Sequence, residues 1–303
     1  MGTLDGRVAI VTGAGRGIGR EHALLMAAEG AQIVVNDLGG AIDGSGADTT
    51  AAQLVADEIV AAGGHAIANG DSVTDFDGAR RLVDSAIEAF GDLHVVVNNA
   101  GILRDRNLVN MTEQEFDDVV AVHMKGTFAV SRHAAAYWRE QSKAGVTDVD
   151  RCIINTSSGA GLHGNPGQTN YAAAKAGIAA MTIVAAIELK RLGVRANCIA
   201  PIARTRLTLQ TPGMGEVMQK SVFDPDNISP LVATLASAEC NFTGQVFSVY
   251  GGSVGIYAGW SIAEEVESED HWTVASLTEA MKALPRRVKV NSQMAALAEA
   301  MKD

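Results

Sequence analysis

The chain has 303 residues, 47% hydrophobic and 19% charged, which is enough apolar side chain for a sizeable core and too few charges for a disordered chain. A formal net charge of −11 excludes a surface built to grip nucleic-acid phosphates. Three cysteines, Cys152, Cys198 and Cys240, are odd in number and lack metal-ligand spacing, so buried free thiols are expected, with neither a disulfide framework nor a metal.

Apolar, β-branched runs near residues 7–11, 31–36, 65–69, 94–98, 151–156, 195–199 and 245–249 predict seven strands with helical patterns between them. That alternation predicts an α/β fold, a doubly wound parallel sheet covered on both faces, with ligands beyond the carboxyl ends of the strands. The first strand runs straight into TGAGRGIG, residues 12–19, and then a helical pattern from Glu21 to Glu29. Gly13, Gly17 and Gly19 let the backbone turn sharply and approach a pyrophosphate, whose charge meets free N–H groups and the positive end of the helix.

The second strand, Ala31 to Asn36, ends at Asp37. A carboxylate there accepts hydrogen bonds from adenosine ribose hydroxyls and repels a 2′-phosphate, which favours NAD over NADP. Arg16, inside the glycine turn, is the opposing signal, and Asp37 equally suits a turn-forming or capping aspartate. Residues 39–46 read as a flexible glycine-rich loop and residues 143–150 as a polar surface turn.

The fifth strand, with Ile153 and Ile154, ends at Ser157 and Ser158, and the stretch NYAAAK then puts Tyr171 and Lys175 one helical turn apart on one face. A cation about 4 Å from a phenol, at an effective dielectric of about 20, favours the phenolate by roughly 4 kcal/mol before desolvation. Such a pair is expected to take a proton from an alcohol while Ser158 holds the substrate oxygen. In isolation the pair also suits a surface tyrosine beside a solvated lysine.

TGAGRGIG, NNAG at Asn98 to Gly101, the Ser158 strand end and Tyr171 with Lys175 occur in an order that resembles the short-chain dehydrogenase/reductase family, over residue 7 to about 250. The resemblance implies a Rossmann-type domain over residues 1–250, an extension over 251–303, and catalytic Ser158, Tyr171 and Lys175. It implies cofactor contacts from Gly13, Arg16, Gly17, Ile18, Gly19 and Asp37, from Asp71 and Ser72 at the adenine, and from Asn99, Ala100 and Gly101. Pro201 and Thr205 would meet the nicotinamide, Lys175 its ribose, and Asn98 would stabilise the central strand.

Two departures from the family pattern stand out. His123 occupies the place of an asparagine that anchors a water between lysine and solvent; it either joins the relay, adding a step near its ordinary pKa of about 6.5, or is a packed helix histidine. Pro201 is followed by Ile202 instead of glycine.

VVNDLGG with its insertion through Gly46, NNAGILRDR, the helix histidine and GNPGQTNYAAAK look like the dehydrogenase module of multifunctional β-oxidation proteins, a D-3-hydroxyacyl-CoA dehydrogenase or type 4 17β-hydroxysteroid dehydrogenase. This implies NAD-dependent oxidation of a (3R)-3-hydroxyacyl-CoA, fatty or steroid. A 17β-hydroxysteroid dehydrogenase is an alternative. An NADPH-dependent 3-oxoacyl carrier-protein reductase is another, which Asp37 disfavours; intact Ser158, Tyr171 and Lys175 oppose an NAD-sensing interaction protein.

Arg104, Arg106, Arg204 and Arg206 are candidates for the coenzyme A phosphates or else solvated charges, and Leu162, Val222, Phe223 and Trp260 for the acyl crevice. The family implies a homotetramer or homodimer packed through the two long helices, with small residues over 172–176. Beyond residue 250, an acidic stretch from Glu264 to Asp270 precedes a helical pattern from Ser276 to Leu284, stopped by Pro285, and a last helix from Met294 to Met301. This extension is expected to cover the crevice or a neighbouring subunit, or else to be a solvated tail. No N-terminal apolar segment, bilayer-length run, prenylation site or SKL ending is read, so a cytoplasmic protein without a membrane partner is expected.

Overall fold

The computed structural model describes residues 2–285 apart from 42, 49, 206–208, 210–218 and 220. The first strand, β1 (Val8–Thr12), is buried at all five positions, as a parallel strand covered on both faces must be. With β2 (Gln32–Asn36), β3 (His65–Asn69), β4 (Val95–Asn98), β5 (Arg151–Thr156), β6 (Val194–Pro201), β7 (Val246–Tyr250) and β8 (Ser253–Ile256) it builds one sheet in the order β3-β2-β1-β4-β5-β6-β7-β8. The neighbours pair in parallel from β3 to β7, and β8 pairs antiparallel to β7.

Alternation along the strands divides the core in two. Ala9, Val11, Ile33, Val35, Val95 and Val97 pack against Ala23 and Met26 of α1 (Gly17–Ala28), Val55 and Ile59 of α2 (Thr50–Ala61) and Val232 of a later helix over Ser229–Ala236. Val8, Ile10, Val34 and Val96 point the other way, onto Leu82 and Val83 of α3 (Phe76–Phe90) and Val130 and Trp138 of α5 (Gly126–Lys143). The fully buried Trp138 places its Nε1 2.7 Å from the Leu93 carbonyl, so its one polar atom is satisfied.

Between β4 and α5, α4 (Glu113–Val120) starts with a capping box in which Thr112 and Glu115 satisfy each other's backbone N–H. It passes into α5 through one π-helical turn, Ala121–Lys125. The extra residue in that turn re-aims side chains locally. After β5 come α6 (Gly159–His163) and α7 (Thr169–Glu188), and the helix over Ser229–Ala236 is α8. Strand order reverses between β1 and β4, which opens a crevice at their carboxyl ends.

Several expectations change. The sheet has an eighth strand; SVGI is short, carries a glycine and is exposed at all four positions, so it lacks the apolar signature of its neighbours. The glycine-rich loop is tied by hydrogen bonds from Ala41 N to Ser45 O (2.8 Å) and from Asp48 N to Leu38 O (2.9 Å). Asp150, in the polar turn, bridges Arg7 at 2.9 Å and Arg195 at 2.7 Å. The cysteines are free thiols as expected, with Cys152 and Cys198 buried but Cys240 only partly so.

A last described helix, α9 (Val274–Ala280), has no buried residue, and the helix expected over Met294 to Met301 lies outside the described residues. No bilayer-length run was expected, yet α7 has the length and a window of mean hydropathy 1.3 that pass that test. One face of the helix packs inward and carries the buried Asn170, Lys175, Ile178 and Thr182, while Ile183, Val184 and Ile187 are exposed.

Candidate active site

The glycine turn is clamped to the end of β4. The Thr12 hydroxyl accepts from Asn99 N (3.0 Å) and Ala100 N (3.1 Å), while Asn99 Nδ2 donates to the carbonyls of Thr12 (3.0 Å) and Gly13 (3.2 Å). Larger residues are excluded: a Cβ on Gly13 (φ 65°) would lie 2.8 Å from Ala100 Cα, and one on Gly19 2.2 Å from the Gly13 carbonyl oxygen. Arg16, the N-cap of α1, is extended and makes no side-chain cap bond, which leaves N–H groups for an anion.

At the end of β2, Asp37 accepts from Gly15 N (2.8 Å) and Gly39 N (2.7 Å), one oxygen each. Asn36 donates to Asn69 Oδ1 (2.8 Å) and to the Asp71 carbonyl (2.9 Å), so the ends of β2 and β3 are held together. Asp71 itself pairs with Arg81 at 2.7 Å. Asn98 Nδ2 reaches Ser131 (2.8 Å) on α5 and Asn155 (2.9 Å) on β5, joining the central strands to one helical layer.

The second half of the site comes from β5 and α7. Ser158, just beyond β5, caps α6 by accepting from Ala160 N (3.2 Å), and its hydroxyl acts on Tyr171 in the direction that eases loss of the phenol proton. Ser157 Oγ donates to the Lys175 carbonyl (2.7 Å), and Lys175 Nζ donates to the Thr156 carbonyl (2.5 Å). Gly13, Arg16, Gly17, Ile18, Gly19, Asp37, Asp71, Ser72, Asn99, Ala100, Gly101, His123, Ser158, Tyr171, Lys175, Pro201 and Thr205 all line one cavity of about 290 Å³. Chain segments far apart in sequence thus converge at the crevice.

The expected acidification of Tyr171 is absent. Part of the ring faces the cavity, but the enclosing protein pushes the phenol up to about 12; the Ser158 hydroxyl works against that rise and the charge of Asp105 adds to it. Burial also pushes Lys175 down to about 8. The ammonium lies 5.6 Å from the centroid of the Tyr171 ring and turns its hydrogen bond to Thr156, so desolvation outweighs the attraction.

His123 is likewise corrected as a titrating group. Burial, with the charge of Lys175, holds it well below the ordinary imidazole value, so no protonation step near 6.5 belongs to it. Its Nε2 lies 2.8 Å from the Ile102 carbonyl and 3.1 Å from the Ile102 N–H.

Three of the four arginines that were candidates for phosphate, or else solvated charges, are paired with carboxylates. Arg104 holds Asp118 at 3.0 Å, Arg106 holds Glu115 at 3.1 Å, and Arg204 holds Asp224; Arg206 lies outside the described residues. Leu162, Val222, Phe223 and Trp260 do not line the cavity, and Trp260 is 97% exposed. Ile102, Leu103, Val122, Ile202 and Ala203 supply its apolar wall instead.

Sequence reasoning missed Asn165 and Gln168. Both line the cavity, Asn165 Nδ2 donates to Gln168 Oε1 (2.9 Å), and Gln168 Nε2 donates to Asp105 Oδ2 (2.8 Å). Their stretch, GNPGQTNY, was visible only as part of a resemblance, because polar loop residues carry no periodic signal.

The short chain dehydrogenase family model matches residues 7–211. The chain belongs to the short-chain dehydrogenases. It is 46% identical over 260 residues to the hydroxyacyl-CoA dehydrogenase ChsB1 of Mycobacterium tuberculosis, covering 83% of this chain and 79% of that one. It is 46% identical over 240 residues to the peroxisomal multifunctional enzyme type 2 of Drosophila melanogaster, covering 79% of this chain and 38% of that longer protein. The crystal structure of a short chain dehydrogenase from Mycobacterium avium superposes with a TM-score of 0.83 at 51% identity, covering 95% of this chain and 98% of that one.

As a short-chain dehydrogenase the protein is an oxidoreductase whose fold implies a nicotinamide cofactor. The residues present fit such a group: the turn admits no side chain at Gly13 or Gly19, the α1 N-terminus has no side-chain cap, and Asp37 faces the same cavity as Ser158, Tyr171 and Lys175.

Proposed function

We propose that this short-chain dehydrogenase oxidises a (3R)-3-hydroxyacyl-CoA, with a fatty or steroid side chain, to the 3-oxoacyl-CoA, using NAD. The observation that carries the reading is the convergence in one cavity of the Asp37-terminated glycine turn with Ser158, Tyr171 and Lys175. The substrate class is supported by similarity to a protein named as a hydroxyacyl-CoA dehydrogenase and to a multifunctional peroxisomal enzyme.

In this proposal Ser158 holds the substrate oxygen and Tyr171, as phenolate, takes the hydroxyl proton as the C3–H bond breaks. When bound, the oxidised nicotinamide supplies the hydride acceptor and a second positive charge near Tyr171, in the direction that offsets burial. Lys175 holds the ribose and contributes the first positive charge. Asp37, fixed by two backbone N–H groups, is set to accept from ribose hydroxyls and to repel a 2′-phosphate; Arg16, on the same wall, opposes that selectivity.

The working form in this proposal is a cytoplasmic homotetramer or homodimer. Exposed Phe128 on α5 and Ile183, Val184 and Ile187 on α7 support a partner surface along the long helices, and light scattering of purified protein tests it. For the activity, purified protein is screened against 3-hydroxyacyl-CoA and hydroxysteroid substrates with NAD and NADP, following absorbance of the reduced nicotinamide. Reduction of NAD by hydroxyacyl-CoA is expected; a response to NADP alone, or to steroids but no acyl-CoA, would sink the reading.

A further inference from the structure

His123 occupies the one π-helical turn among the described residues and is buried with 2% of its surface exposed. Its ring meets that of Tyr171 edge to face, centroids 5.1 Å apart and planes at 89°. Nε2 faces both backbone groups of Ile102, so it has a partner there whether it carries the proton or not. Nδ1 is buried and finds no protein partner. On the other side the imidazole presses on Gly101, where an added Cβ would come within 2.3 Å of Cε1 and 3.1 Å of Nδ1.

We propose that His123 is a positioning residue for Tyr171: an imidazole anchored on the Ile102 backbone and seated against Gly101, whose ring contact fixes the plane of the tyrosine. This rests on the dehydrogenase reading for its consequence, though not for its geometry. Three features lead to it. An edge-to-face contact has a preferred geometry and so restricts tilt of the phenol. The π turn turns a helix position toward the cavity, and the bare Gly101 leaves the space that the ring fills. A relay role would require the ring to exchange protons, whereas the titratable and charged groups about it are Tyr171 and Lys175, with the Asp105 carboxylate acting on Tyr171, and burial beside the ammonium disfavours a charged imidazole.

The test uses the full-length protein and two independent routes to the same contact. His123→Ala is expected to lower kcat by about tenfold or more, because small displacements of a reacting group are costly, with KM and nucleotide Kd changed by less than about threefold. The pH profile should keep its shape, added imidazole should not restore the rate, and His123→Phe should recover part of it. Gly101→Ala, which drives a methyl into the imidazole, should lower kcat at saturating nucleotide by a larger factor in the wild-type background than in His123→Ala.

A readout that needs no substrate is the flip rate of the Tyr171 ring, measured by NMR on tyrosine-labelled protein and assigned with Tyr171→Phe. It should rise in His123→Ala. Wild-type kcat in that variant, equal losses from Gly101→Ala in both backgrounds, rescue by imidazole, or an unchanged flip rate would overturn the proposal. The flip rate stands even if the wild type oxidises no acyl-CoA, so failure of the functional reading is distinguishable.

Discussion

Gln168 reaches from the cavity wall to Asp105, its Nε2 2.8 Å from Oδ2. The pair ties the start of α7, and with it Tyr171, to the loop after β4, where the Arg106 N–H also donates to the Gly167 carbonyl at 2.8 Å. The Asp105 charge acts on Tyr171 in the direction that keeps the phenol protonated.

Asp105→Asn keeps the acceptor for Gln168 and removes the charge. With the negative neighbour gone the phenolate is easier to form, so the acid limb of the oxidation rate should move to lower pH. Asp105 has an exposed face, so the shift is expected to be small, about 0.3 to 0.5 unit, with KM near the wild-type value. Coincident pH profiles for the two proteins would show that the charge does not reach the tyrosine.

Tyr171→Phe removes the proton acceptor and leaves the ring, so nucleotide affinity should hold within about threefold while turnover falls by about a thousandfold or more. Lys175→Met, nearly isosteric in a buried slot, removes the hydrogen bond to the Thr156 carbonyl. It should weaken nucleotide binding as well as turnover. Fluorescence titration with nucleotide separates the two patterns, and a Tyr171→Phe enzyme that still turns over would displace that residue from the chemistry.

The sheet and the cofactor half of the cavity were legible because they rest on repeating or short-range signals. β1, β2 and β5 carry short apolar runs, Val8–Val11, Ile33–Val35 and Cys152–Ile154, and the glycine turn and Asp37 lie at fixed distances along the chain. β8 was invisible because its four residues are all exposed, so neither alternation nor an apolar run marks it. The state of Tyr171 was misjudged for a different reason. Spacing gives its separation from Lys175 along a helix, but the sign of the shift depends on burial and on where the ammonium turns, and Thr156 and Asp105 come from other segments. Asn165 and Gln168 were missed because their importance arises only when their loop folds over the carboxyl end of β5.

Asp37→Ala tests the cofactor reading. It removes the acceptor for ribose hydroxyls and the repulsion toward a 2′-phosphate, while Arg16 remains in the same wall. The ratio of kcat/KM for NAD over NADP should fall by about tenfold or more. Gly15 N and Gly39 N lose their shared carboxylate, so some loss with both nucleotides is expected. The ratio, not the absolute rate, is the quantity to compare, and an unchanged ratio would remove the reason for preferring NAD.

One turn along α1 from the cavity-lining Ile18, and outside the lining itself, His22 makes stability depend on acid. Its Nδ1 lies 2.8 Å from the Ser229 hydroxyl on α8, and burial lowers its pKa from 6.5 to about 3. The unfolded chain takes up a proton as pH falls through 6.5, whereas folded His22 does so only near 3, so the unfolded state binds more protons across that window. Its contribution is therefore full above 6.5 and is lost as pH falls toward 3, by roughly 2 kcal/mol at about pH 5. Urea unfolding at about pH 7 and about pH 5 should show that loss, and His22→Leu, which cannot titrate, should narrow the difference by a similar amount. If the variant loses as much stability on acidification as the wild type, the proton uptake belongs to other groups.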